Sequence, residues 1–162
     1  MTIKISDYLK ENNNNPRILT NLEAKTKEVL LFEFSKLFYP ANEDMEQKVF
    51  HALKKREECL STGIGHGYAI PHTRAMNIER SEVAIITTMG TDFKSQDNKP
   101  EPVYFAFGVI NPAGDVNNYL RVLEKITELI KNNVFDGVIK KIKNNKKVTQ
   151  EEISYILSEY EK

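Results

Sequence analysis

Apolar residues recur at helical spacing on both sides of the chain's middle, and at strand-like spacing within it. Thr26 is a plausible N-cap for a helix carrying Val29, Leu30, Phe34, Leu37 and Phe38, which Tyr39-Pro40 ends. A second helix follows Asn42, presents Met45, Val49, Ala52 and Leu53, and runs to about Leu60. The period then changes. Tyr68 to His72, Val83 to Thr88 and Val103 to Val109 are β-branched or aromatic runs bounded by turn formers, and predict strands. Helical spacing returns near Asn117 with Leu120, Leu123, Ile126, Leu129 and Ile130, and again with Val134, Phe135, Val138, Ile139 and Ile142. Thr149-Gln-Glu-Glu152 is a capping-box pattern opening a last helix that presents Ile153, Ile156 and Leu157. Polar loops are expected over residues 11–16, before an extended Arg17-Ile18-Leu19, and over residues 92–101. Helices before, strands between and helices after predict an α+β or α/β layer, with helices covering a small sheet.

Bulk properties narrow the function classes. A chain of 162 residues with 40% hydrophobic and 28% charged content fits one globular domain, read here as residues 1–162. Lysine plus arginine and aspartate plus glutamate are equal at 23 each, which gives no reason to expect nucleic-acid or membrane binding. The lysine-rich run from Lys140 to Lys147 reads as a solvated helix end and loop. The one cysteine, Cys59, excludes an intramolecular disulfide, suits a reducing compartment and reads as a helix residue packing near the site. No apolar leader or transmembrane-length stretch appears, so a soluble, cytoplasmic domain is expected.

The candidate chemistry sits in Ser61-Thr-Gly-Ile-Gly-His-Gly-Tyr-Ala-Ile-Pro-His72, which holds three of the seven glycines and two of the three histidines. Gly63, Gly65 and Gly67 permit close-approach or left-handed backbone, and such a loop can turn N–H groups toward an anion. Pro71 biases Ile70 toward extended geometry, so the run reads as a strand ending at an imidazole. That imidazole can act as nucleophile, general base or metal ligand.

Together, Arg56-Glu57, Ser61-Thr-Gly-Ile-Gly and Gly67-Tyr-Ala-Ile-Pro-His72 resemble the active-site signature of one family. It is the IIA domain of the fructose–mannitol class of the bacterial phosphoenolpyruvate-dependent sugar phosphotransferase system, including its nitrogen-type regulatory branch. The Asp97-Asn98-Lys99-Pro100 turn, the strand after it and the helix from Asn117 fall where that family has counterparts. The resemblance implies a single α/β domain whose small mixed β-sheet of about five strands is flanked by helices. It implies a phosphohistidine at His72, loaded by the phosphocarrier HPr or a nitrogen-branch equivalent. The group is then passed to a IIB domain or held as a regulatory mark, with no cofactor and no metal.

Arg56 is the best cationic candidate, because its planar fork suits phosphate oxygens; a solvated charge at a helix end is the alternative. Ser61 and Thr62 either donate hydroxyls to the phosphate or cap the loop. The backbone from Thr62 through Gly63, Gly65, His66 and Gly67 is expected to stabilise phosphoryl charge. Two positions depart from the family. His66 stands where a small polar residue, often asparagine, is usual, and Tyr119 stands where many members carry a second histidine. A tyrosine hydroxyl can donate a hydrogen bond to a phosphoryl oxygen but cannot supply an imidazolium charge; His66 could take over that part.

Two rival readings remain. His51, Cys59, His66 and His72 are ligand types zinc accepts, but no close-spaced pair occurs. The chain also reads as a free-standing IIA with no IIB or IIC segment after Lys162. Such a protein serves as a transport intermediate or as a regulatory binding module that need not take up phosphate.

Overall fold

The computed structural model describes residues 2–10, 15–75, 77–94 and 97–162. Parts of the two polar loops expected above, residues 11–14 and 95–96, lie outside the described residues. Six helices and six strands occur among the described residues: α1 (Ser6–Leu9), β1 (Ile18–Leu22), α2 (Lys27–Phe38), α3 (Glu43–Cys59), β2 (Gly63–Gly65) and β3 (Tyr68–Ala69). They continue with β4 (His72–Ala75), β5 (Glu82–Asp92), β6 (Pro102–Pro112), α4 (Val116–Lys131), α5 (Asp136–Lys143) and α6 (Gln150–Tyr160).

The helix starts follow side-chain capping. Thr26, Asn42 and Thr149 each accept the backbone N–H three residues on, satisfying one of the donors left open at a helix start. The capping box at Thr149 is half made: Glu152 turns its carboxylate to Lys141 Nζ at 2.6 Å instead. Asp115 caps α4, which therefore starts at Val116 rather than Asn117. Leu120 is a correction to the expected apolar stripe. The buried positions of α4 are Val122, Ile126 and Leu129, whereas Leu120 is 56% exposed. At about 3.6 residues per turn, Leu120 points away from that stripe.

One mixed sheet runs in the order β1-β5-β6-β3-β2, with β4 also paired to β6. β6 is antiparallel to β5 and parallel to both β3 and β4. The single strand expected from Tyr68 to His72 is split at Ile70-Pro71. There Pro71 has no N–H to give β6, although its carbonyl still accepts from Val109 N–H (2.9 Å), while Ile70 N–H faces β2 and donates to Thr62 O (3.0 Å). That split and the strand β2, formed inside the glycine loop, turn the four extended segments read from the sequence into six strands, against about five implied by the resemblance.

Both sheet faces are buried, and the period-2 alternation of β5 and β6 divides their side chains between two cores. Val83, Ile85, Phe105, Phe107 and Val109 pack with α1 and α4 to α6. Ala84, Ile86, Ala106 and Ile110 pack under α2 and α3, where small residues let the helices come close. The closest approach is at Gly108, where an added Cβ would lie 2.5 Å from the buried Phe34 ring.

Candidate functional site

His72 opens β4 beside Val109 of β6 and is half-buried. Its Nδ1 lies 2.6 Å from Ile70 O. A carbonyl only accepts, so Nδ1 carries the proton and Nε2 is the ring nitrogen with a free lone pair. A chain of bonds fixes that carbonyl from behind. Ile70 N–H donates to Thr62 O at 3.0 Å. Thr62 donates its N–H (2.9 Å) and its hydroxyl (2.5 Å) to the two carboxylate oxygens of Glu57, and Lys27 Nζ lies 3.1 Å from one of them. Glu57 is 6% exposed, so this carboxylate depends on those partners. Replacing it by glutamine removes the charge that both Thr62 donors and Lys27 address. Glu57→Gln is expected to cost about 2 kcal/mol of stability in urea denaturation; a loss under about 0.5 kcal/mol would mean the clamp is dispensable.

Tyr119 borders the imidazole, Arg56 acts on it through its charge, and Arg74 lies against the tyrosine ring. Arg56, on the last turn of α3, donates to Leu60 O at 2.8 Å and so caps the helix end, while its charge acts on both His72 and Tyr119. The Tyr119 ring, on the first turns of α4, is centred 5.8 Å from the His72 ring. Arg74 Cζ lies 5.5 Å from the centre of the same tyrosine ring. Sequence reading missed Arg74. The available signal was period-2 alternation, which puts residues 72 and 74 of a strand on one face.

The glycine loop is divided by the fold. Extending the β2–β3 register carries Ser61 abreast of Pro71, near the histidine, and its Oγ accepts Gly63 N–H at 3.2 Å. Thr62 commits its hydroxyl to Glu57, which is the loop-capping alternative for that residue. Gly65, His66 and Gly67 form the far tip of the β2–β3 hairpin, with φ of 89°, 58° and 90°. Gly67 O accepts from Tyr104 and Phe105 N–H, whereas His72 pairs with Val109. From Tyr104 to Val109 a strand rises roughly 16 Å, at about 3.3 Å per residue. The structure thus separates His66 and Gly67 from His72. A two-residue hairpin turn with both φ values positive is the type I′ pattern, for which Asn-Gly is favoured. The departure at His66 is therefore a matter of turn chemistry. Among the described residues no group of three or more His, Cys, Asp or Glu gathers to hold a metal ion, and no helix is long and apolar enough to cross a membrane.

Burial is the largest influence on the His72 pKa and holds it below the ordinary 6.5; the Arg56 charge acts the same way, while the Ile70 carbonyl and Glu57 pull it up. Since the folded value is lowered, the unfolded chain binds this proton more readily. The resulting stability is present above pH 6.5 and is lost as pH falls through the lowered value. The same shift keeps a neutral, nucleophilic ring under mildly acid conditions. The His72 ring titration followed by NMR is expected to have its midpoint below 6.5, and a midpoint at or above 6.5 would contradict it.

An imidazole with one fixed and one free nitrogen, within reach of the Arg56 charge at a sheet edge, suits acceptance of an anionic group. Comparisons with known proteins agree with the class. A solved structure of the nitrogen regulatory protein IIA-Ntr from Neisseria meningitidis superposes with TM-score 0.71 at 26% identity, over 87% of this chain and 92% of that one. The nitrogen regulatory protein of Bradyrhizobium diazoefficiens is 28% identical over 116 residues, covering 70% of this chain and 74% of its own length. The fructose-specific EIIABC component of Bacillus subtilis is 29% identical over 115 residues, 70% of this chain, which spans only 18% of that relative's length. The family model for "Phosphoenolpyruvate-dependent sugar phosphotransferase system, EIIA 2" matches residues 11–159, and the chain belongs to that family. The resemblance carried by the residues from Arg56 to His72 is borne out.

Proposed function

We propose that this protein is a phosphoryl carrier that accepts phosphate on His72 Nε2 from a phosphorylated HPr-type carrier. The carrying observation is the 2.6 Å contact of Nδ1 with Ile70 O, which orients the ring and leaves Nε2 free. In the transfer, the Nε2 lone pair forms a bond to phosphorus as the donor's phosphorus–nitrogen bond breaks. The donor imidazole keeps that electron pair, and the His72 proton stays on Nδ1, hydrogen-bonded to the Ile70 carbonyl. Charge on the phosphoryl oxygens is spread in such transfers, so cations near the acceptor contribute most. Arg56 supplies one such charge from the end of α3, and the Ser61 hydroxyl stands at the same end of the sheet.

The phosphoryl group then has two uses consistent with the family: transfer to a IIB domain, or retention as a regulatory mark. Up to two added negative charges beside Arg56 would alter the local surface strongly enough for a partner to distinguish the two forms. The test is to incubate the protein with phosphoenolpyruvate, Enzyme I and HPr and read intact mass. A gain of one phosphate supports the acceptor reading; no gain with a working carrier supports a IIA-like binding protein. For the loaded protein, onward transfer to a IIB domain argues for transport. Capture of a different partner by one phosphorylation state argues for regulation.

A further inference from the structure

Arg74 stands two residues beyond the acceptor on the same strand, is exposed, and is held against an aromatic ring that also borders the acceptor. Its Cζ lies 5.5 Å from the centre of the Tyr119 ring, and the His72 ring lies 5.8 Å from that centre. Among the described residues Arg74 has no carboxylate partner, in contrast to Arg17, whose guanidinium is neutralised by Glu82 at 3.0 Å. Most lysines of α2 and α3 near the site are also committed: Lys27 to Glu57 and Lys54 to Glu28. An uncompensated guanidinium is thus presented on the face of the sheet where the acceptor lies, with its direction set by a ring.

We infer that Arg74 is a second phosphoryl-binding cation of this site, and that Tyr119 positions it through the face of its ring rather than through its hydroxyl. This rests on the reading of His72 as a phosphoryl acceptor. The physical basis is threefold. A guanidinium stacks on an aromatic face and keeps its N–H fork free at the edge for two phosphate oxygens. Stacking restricts a long, mobile side chain before the phosphate arrives, so less freedom is lost on binding. Alternation along β4 places positions 72 and 74 on one side, so the fork and Nε2 can engage one phosphoryl group. Both Arg56 and Arg74 act on the Tyr119 phenol, opposing the rise that burial causes in its pKa, as two cations beside one ring should. Arg56 and Arg74 then approach the phosphoryl group from α3 and β4, two separate elements.

The test compares single-turnover phosphorylation by phospho-HPr, and the hydrolytic lifetime of the phosphoprotein, across five variants. Arg74→Ala should slow acceptance about tenfold or more, as expected for loss of one charge-assisted hydrogen bond. Tyr119→Phe should stay within about twofold of wild type, Tyr119→Ala should match Arg74→Ala, and Arg74→Ala with Tyr119→Ala should lose little more than either alone. Arg74→Lys should recover only part of the rate, because an ammonium lacks the planar fork. Thermal unfolding of each variant monitors the fold; Arg74 is exposed, so its removal leaves the core intact. A rate for Arg74→Ala within twofold of wild type overturns the proposal. So does a loss in Tyr119→Phe equal to that in Tyr119→Ala, which would return the role to the hydroxyl. Absence of phosphate on wild type itself overturns the acceptor reading and this proposal with it, and is told apart because no variant is then needed.

Discussion

Replacing His72 by alanine is expected to abolish the mass gain of one phosphate that wild type shows with phosphoenolpyruvate, Enzyme I and HPr. The expectation is for complete loss because the nucleophile itself is removed and no other histidine occupies the site. His66 lies at the far hairpin tip, and His51 is exposed on α3, five residues and about one and a half turns before Arg56. The fold should tolerate the change. His72 is half-buried, its recorded hydrogen bond is to a carbonyl two residues away, and the loss of stability should be within about 1 kcal/mol. Loss of phosphorylation with an unchanged unfolding transition is therefore the predicted signature. One phosphate still appearing on His72→Ala would place the acceptor elsewhere and sink the assignment.

The second large effect is on stability. Gly108→Val on β6 is expected to destabilise the protein by about 3 kcal/mol, the upper range for overpacking a well-filled core. The first added atom would already sit 2.5 Å from Phe34 Cδ1 and 2.6 Å from Cε1, and Phe34 is fully buried. Neither side can yield easily: β6 is the strand that β3, β4 and β5 all pair with, and Phe34 also stacks on Phe38 with ring centres 6.3 Å apart. For a chain of this length the melting temperature should fall by roughly 6–12 °C. Coupling gives the sharper check. Phe34→Ala alone leaves a cavity and costs about 3–5 kcal/mol, but the two changes together should cost clearly less than their sum, because each fills or empties the same space. Strict additivity would show that the contact does not limit the packing.

Most helix boundaries were legible because they depend on local chemistry. Thr26, Asn42 and Thr149 are caps whose side chains bond within one turn, and a three-residue pattern suffices to find them. The buried strands β5 and β6 were legible as apolar runs, but their ends at Asp92 and Pro112 depend on partners far away in sequence. β2 was not legible, since glycines carry no strand preference and the hairpin is closed by a His-Gly turn rather than Asn-Gly. His72 and Arg56 could be singled out through the family motif. Arg74 could not, because its position matters only once α4 brings Tyr119 over β4. The same reason explains the separation of the glycine loop: its residues are contiguous in sequence, yet the hairpin sends Gly65, His66 and Gly67 to one end and Ser61 to the other.

The acceptor's surroundings come from segments spread from Arg56 to Tyr119, joined only when β4 docks on β6 and α4 packs across it. A chain emerging from the ribosome would expose the glycine motif and the histidine well before α4 had been made. At that stage it would lack the tyrosine ring, the guanidinium that lies against it and the burial that lowers the imidazole pKa. On the proposed function, uptake of phosphate at this histidine is expected only once the chain has folded.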